Sequence, residues 1–247
     1  MLSNLPSERH LKKRIEYFFH SRKGVQANEI SNFIELLINN SLEVLIFGGL
    51  LRDLTIDGLK FFKSDVDIVL DGSEIDFSLI LLRISKSYNM KKNKFGGYRI
   101  KLNYWVIDIW LLSNTFAFKK KHVEYREQKD LLKTVFFNWD AIYYNYNKKE
   151  LVYSKDYFES LRMLKLSIVN PINHNPVGAF RRLTRFASKI NFEIDVSVVS
   201  YFSDLPLESE LLNNKDRELL SKIKKHFLTS SLFPIFLCKE VQTNLFK

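Results

Sequence analysis

The stretch Ile46–Gly72, IFGGLLRDLTIDGLKFFKSDVDIVLDG, decides how this chain is read. The apolar run EVLIF leads into it and stops at Gly48-Gly49, which predicts a short buried strand. LLRDLTIDG predicts a short helix closed by Gly58, and DVDIVLD predicts the next strand. Asp65 and Asp67 stand two apart, so in a strand both carboxylates project from one face. Side by side they repel, and burying them without a partner is costly. A divalent cation removes both costs, because Mg²⁺ takes oxygen ligands and fills the rest of its shell with waters and substrate phosphates. An Asp-x-Asp pair by itself also fits an exposed edge or a turn, so the element before it matters. Glycines between a buried strand and a helix let backbone N–H groups approach a phosphate, with the positive end of the helix behind them. Arg52, one helical turn in, suits either a phosphate or a carboxylate. Asp53 suits a structural role, holding Arg52 or a loop. The pattern is neither GxGxxG nor a Walker A loop.

The surrounding chain supports a folded α+β protein. It has 247 residues, 46% of them hydrophobic and 27% charged, with 8 Gly and 5 Pro, enough for a real core and too few breakers for long disordered linkers. The 38 Lys and Arg outnumber 28 Asp and Glu, for a net charge of +10. Such a surface suits nucleic acid or a phosphate-bearing substrate, and equally a merely solvated lysine-rich exterior. The lone Cys238 excludes an internal disulfide and points to a reducing, cytoplasmic setting, with the thiol read as a buried apolar group. No secretory signal is expected from MLSNLPSERHLKKR, and no run approaches the ~18 apolar residues of a membrane helix. The histidines, His10, His20, His122, His174 and His226, show no zinc spacing.

Periodicity predicts helices over SERHLKKRIEYFFHS and NEISNFIELLINN before the quoted stretch, and over SEIDFSLILLRISKSY after it, with Ser73 as N-cap. YRIKLNYWVIDIWLL reads as two strands meeting near Asn103. The second puts Val106, Asp108 and Trp110 on one face. Gly96-Gly97 fits a hairpin turn. A helical stretch is expected around NTFAFKKKHVEYREQKDLL, and a hairpin over VFFNWDAIYYNYNKKELVYS. From about residue 155 the pattern is helical: KDYFESLRMLKL, GAFRRLTRFASKI, DVSVVSYFSDL and KDRELLSKIKKHFLTSS. The expected organisation is thus a head domain over 1–155, a small mixed sheet with flanking helices, and an all-helical C-terminal portion over 156–247.

The combination Gly48-Gly49-x-x-Arg52-Asp53, eleven residues, then Asp65-x-Asp67 is far more specific than its parts. It resembles the head-domain signature of the polymerase-β-like nucleotidyltransferases, and among them the class II CCA-adding enzymes and bacterial poly(A) polymerases. The resemblance implies that Asp65 and Asp67 bind the metals, that Asp108 in VIDIW is the third carboxylate, and that Gly48 and Gly49 lie against the nucleoside triphosphate. RRLTRFASKI is similar to the family's neck helix, with Arg182 and Arg185 in its Arg-x-x-Arg-Phe-Ala run as further nucleotide-binding residues. FFNWDAIYYN resembles the strand in which an Asn-Ala pair is usual, with Asp140 in place of the Asn. Where the CCA-adding enzymes carry an acidic-Asp-x-x-Arg motif that selects C and A, this chain has NPVGA, with Asn175, Pro176 and Ala179 at the key places. The chain also stops some 60 residues after Ala187, where family members continue into body and tail domains. A housekeeping CCA-adding enzyme is therefore not expected.

The implied reaction is transfer of a nucleoside monophosphate from an NTP to an acceptor hydroxyl, with two Mg²⁺ ions and release of pyrophosphate. The preferred acceptor is RNA, especially a tRNA 3′ end. A small-molecule or protein acceptor, and a non-catalytic nucleotide- or RNA-binding domain, are the alternatives.

Overall fold

The computed structural model describes residues 6–21, 24–38, 42–56, 58, 65–172, 175–206, 210–230 and 235–237. Cys238 and His174 lie outside them. The chain divides into two compact units. The first runs up to Val135 and takes in Trp139–Phe158, and the second comprises Phe136–Asn138 and the chain from Glu159.

The first unit opens with α1 (Glu8–Glu16), capped by Ser7, and α2 (Val25–Ile38). Then follow β1 (Glu43–Phe47), α3 (Gly49–Ile56), β2 (Val66–Asp71) and α4 (Glu74–Ser85), whose N-cap is Ser73 as expected. The strands β3 (Asn89–Lys92), β4 (Tyr98–Lys101) and β5 (Val106–Leu111) come next, then the single-turn helix α5 (Phe116–Lys119). The hairpin β6 (Ile142–Asn145) and β7 (Glu150–Tyr153) completes the sheet. Seven strands lie in the order β3-β4-β5-β2-β1-β6-β7. Only β2 and β5 run parallel; every other neighbouring pair is antiparallel.

Alternation along these strands sets the two faces. Val44, Ile46, Ile68, Leu70, Ile107 and Ile109 are fully buried on one of them. The other face carries Leu45, Val69 and Tyr143 in an apolar cluster with Leu112, Leu131 and Ala141, edged by Phe47 and Trp110. Asp67 and Asp108 share that second face, at the end where the apolar cover stops. The carboxylates are thus not a cost inside the core: they stand at its rim.

One expectation fails here. The helix foreseen over NTFAFKKKHVEYREQKDLL breaks at once: α5 ends at Lys119, Lys121 takes a left-handed φ of 57°, and only a 3-10 turn (Gln128–Thr134) resumes. The backbone reverses there, with the His122 and Val123 N–H groups both donating to the Ala117 carbonyl, at 2.9 and 3.2 Å.

A polar knot pins β1 to β2 and β6. The Glu43 carboxylate accepts from Asn145 Nδ2 at 2.8 Å, Gln128 Nε2 at 3.0 Å and Lys148 Nζ at 2.6 Å. Burial pushes the Glu43 pKa up, but these donors outweigh it and hold it below the ordinary 4.5. A depressed folded-state pKa stabilises the fold above the unfolded value and loses that contribution as pH falls. Glu43→Gln is therefore expected to lower the melting temperature at neutral pH, with the gap to wild type closing below about pH 4.5. Thermal denaturation across a pH series checks this.

The second unit contains the C-terminal part of α6 (Tyr157–Arg162), then β8 (Lys165–Leu166), α7 (Pro176–Ala187), β9 (Phe192–Ile194), α8 (Val196–Ser203), α9 (Asn214–Ser230) and β10 (Ile235–Leu237). It was expected to be all-helical. It is mainly helical but also folds a three-stranded sheet, β10-β9-β8. The helix predicted over KDYFESLRMLKL stops early because Leu164 adopts φ 53°, which turns Lys165–Leu166 into a strand parallel to β9. Its core is aromatic, with Phe180 edge-on to Phe202 at 5.0 Å. Among the described residues no helix is long and apolar enough to cross a membrane.

Candidate active site

Cross-strand register builds the site. Asp67 on β2 pairs with Phe47 on β1 and with Asp108 on β5, and Asp108 pairs with Arg99 on β4. Phe47, Asp67, Asp108 and Arg99 therefore form one lateral row across four strands, where opposite side chains are near neighbours. Asp65 lies just before β2, two residues from Asp67 on the same side. All three sequence-predicted carboxylates thus come together at one end of the sheet.

Arg99 was not foreseen. Its guanidinium forks onto Asp108, with Nε donating to Oδ1 at 2.9 Å and Nη2 to Oδ2 at 2.6 Å. The same Nη2 donates to Asp65 Oδ2 at 2.7 Å. The bond to Asp108, with Coulomb attraction from Asp108, Asp65 and Asp67, raises the Arg99 pKa above its ordinary value despite some desolvation. Side-chain exposure is 17% for Asp108, 43% for Asp65 and 47% for Arg99, so the cluster opens to solvent.

The donor set suits Mg²⁺ chemically: carboxylate oxygens only, on adjacent strands in register. Magnesium usually takes one or two carboxylates and completes its shell with waters and substrate phosphates. As arranged, no group of three or more His, Cys, Asp or Glu among the described residues is gathered around a point where a metal would sit. The guanidinium lies among the carboxylates instead.

Gly48 has φ +59°, a left-handed conformation that glycine adopts freely and other L-residues only with strain. Its N–H donates to the Ile142 carbonyl at 2.9 Å and its carbonyl accepts from Arg52 N at 3.0 Å. Gly48 thus contributes the bend from β1 into α3, while its own N–H is committed to the sheet. Gly48→Ala is expected to destabilise the protein by about 1–2 kcal/mol, readable by denaturant unfolding. A Cβ at Gly49 would meet the buried Arg52 Nη2 and Nη1 at 3.7 and 3.9 Å, an ordinary contact, so the packing there does not itself require glycine.

Arg52 and Asp53 were candidate nucleotide-binding residues, with Arg52 on a carboxylate and Asp53 holding it as the structural alternative. The structure turns both inward and takes that alternative. Arg52 Nε donates to Asp53 Oδ1 at 2.8 Å, and Nη1 bonds Asp140 Oδ1. The three side chains are 6%, 10% and 6% exposed. Burial would push the Arg52 pKa down, but Asp140 and Asp53 overcome it and hold it above the ordinary value. The triad locks α3 onto the segment before β6, and this is where Asp140, in place of the usual Asn, finds its use.

Arg182 and Arg185 lie on α7 of the second unit. Arg185 lines a cleft of about 520 Å³ with Arg181, Thr184 and Lys215, and Arg182 does not line it. The NPVGA segment is rebuilt as a helix start: Asn175 is the N-cap, its Oδ1 accepting from Gly178 N at 2.8 Å, and Pro176 opens α7. Ala179, where the base-selecting motif of the resembling family has an arginine, is buried.

Comparison with known proteins agrees at the level of fold. No protein-family model matches the chain, and no curated protein does. Among solved structures, a Thermotoga maritima CCA-adding enzyme complexed with tRNA-CCA is similar at TM-score 0.55 and 21% identity, over 90% of this chain and 56% of that one. A tRNA nucleotidyltransferase complexed with a primer tRNA and an incoming ATP analogue is similar at TM-score 0.51 and 19% identity, over 80% of this chain and 60% of that one. A CCA-adding enzyme complexed with ATP gives TM-score 0.52 and 21% identity, over 88% and 49%. The chain spans less than two thirds of the length of each. It has a nucleotidyltransferase fold resembling the head and neck region of the CCA-adding enzymes.

Proposed function

We propose that this chain is a metal-dependent nucleotidyltransferase acting on RNA, with a tRNA 3′ end as the preferred acceptor. The carrying observation is the register pair Asp67–Asp108, with Asp65 beside it, at the open end of a nucleotidyltransferase sheet. In this reading Asp65 and Asp67 hold two Mg²⁺ ions and Asp108 completes the set. When bound, the ions supply charge neutralisation for the triphosphate and lower the pKa of the attacking hydroxyl. The acceptor oxygen forms a bond to the α-phosphorus while the bond to the bridging oxygen breaks, releasing pyrophosphate. Asp108 orients the acceptor hydroxyl and takes its proton. Gly48 and Gly49, at the turn from β1 into α3, are proposed to lie against the triphosphate. Arg182 and Arg185 are proposed as further nucleotide or RNA contacts. The RNA acceptor is supported by the net charge of +10 and by the tRNA in the neighbouring structures. A cytoplasmic location follows from such a role.

A second reading is favoured by the Arg99 bridge: a nucleotide- or RNA-binding domain that does not catalyse. The test is incubation with Mg²⁺, each labelled NTP and total RNA, resolved by gel. Labelled tRNA-sized bands support the proposal. Label on a small molecule or a protein moves the acceptor, and no label on anything favours the second reading.

A further inference from the structure

Arg99 occupies by charge the place where a divalent cation would balance Asp65 and Asp108. It does so with three hydrogen bonds of 2.6–2.9 Å, from a strand position fixed in register with Asp108. Its side chain is nearly half exposed and long enough to swing away. The Arg99–Asp65 arm is open to solvent at both ends, so a doubly charged ion arriving with phosphate ligands can compete for these carboxylates.

We propose that Arg99 is a displaceable counter-ion of the carboxylate row. It holds Asp65 and Asp108 together when no metal is bound, gives up both carboxylates when the metal enters with a nucleotide, and then pairs with the triphosphate. The inference rests on the proposed metal-dependent function. It couples metal entry to nucleotide entry through one side chain.

The test uses Mn²⁺ as the probe, with free Mn²⁺ read by electron paramagnetic resonance. Without nucleotide, Arg99→Met is expected to bind Mn²⁺ about fivefold or more tightly than wild type, because the competing cation is gone. With nucleotide the same variant should show a raised KM for NTP, about tenfold, and a smaller change in kcat. Melting provides an independent readout. In EDTA, Arg99→Met should melt below wild type, and Mg²⁺ should restore it, whereas wild type should respond less. Arg99→Lys, which keeps the charge without the fork, should fall between the two in Mn²⁺ affinity. Equal Mn²⁺ affinity in wild type and both variants would overturn the inference while leaving the metal site standing. Absence of Mn²⁺ binding in every protein, with nucleotide present, would overturn the metal site itself. An unchanged KM would remove the triphosphate contact.

Discussion

Asp67→Asn lowers nucleotide transfer by at least about a hundredfold and leaves the melting temperature close to wild type. Asp67 stands at the rim of the apolar cluster rather than within it, between register partners Phe47 and Asp108. The amide keeps the size and the strand propensity of the site, so the sheet tolerates it. What it loses is a negative oxygen ligand. Substrate binding through the rest of the site survives in part, so the loss falls on kcat more than on KM. Transfer at the wild-type rate in Asp67→Asn would exclude this face of the sheet as the reaction centre.

Arg52→Met has the largest expected effect on stability. The guanidinium is buried between Asp53 and Asp140, and removing it leaves two carboxylates facing one another with no cation. Breaking a buried ion pair from one side costs about 3–5 kcal/mol, equivalent to a melting point lower by roughly 10 °C in a chain of this size. Asp140→Asn gives the contrast. It restores the residue usual at this point in the resembling family, removes one of two negative charges around a single positive one, and keeps a hydrogen-bond acceptor. Its expected change is within about 1 kcal/mol. Thermal or urea denaturation of both variants tests the pair. If Arg52→Met is as stable as wild type but loses nucleotide affinity, Arg52 is a phosphate ligand and the structural role is wrong.

The sheet and the carboxylate row were largely legible in the sequence because strand alternation is a simple rule. The two strands meeting near Asn103 also contained the missed residue. Four positions back from Asn103 is Arg99, and four on from Tyr104 is Asp108. Counting that hairpin would have set the arginine opposite the aspartate. Arg52 was harder, since Asp140 is distant in sequence and only the β1–β6 pairing brings the two together. The second unit misled for a related reason. Lys165–Leu166, Phe192–Ile194 and Ile235–Leu237 are too short to show a period, and their strand character comes from one another. The NPVGA segment opens α7 with an Asn cap, proline in the first turn and a buried alanine, an arrangement set by the helix it starts.

The central claim is that the row containing Asp67 and Asp108 transfers a nucleoside monophosphate. The most direct measurement supplies the protein with Mg²⁺, RNA and NTPs labelled either on the α-phosphate or on the γ-phosphate. The account predicts that α-label becomes attached to RNA, that γ-label leaves as pyrophosphate, and that both signals vanish in Asp67→Asn. Retention of γ-label on an acceptor, or α-label incorporation that is indifferent to Asp67, would contradict it.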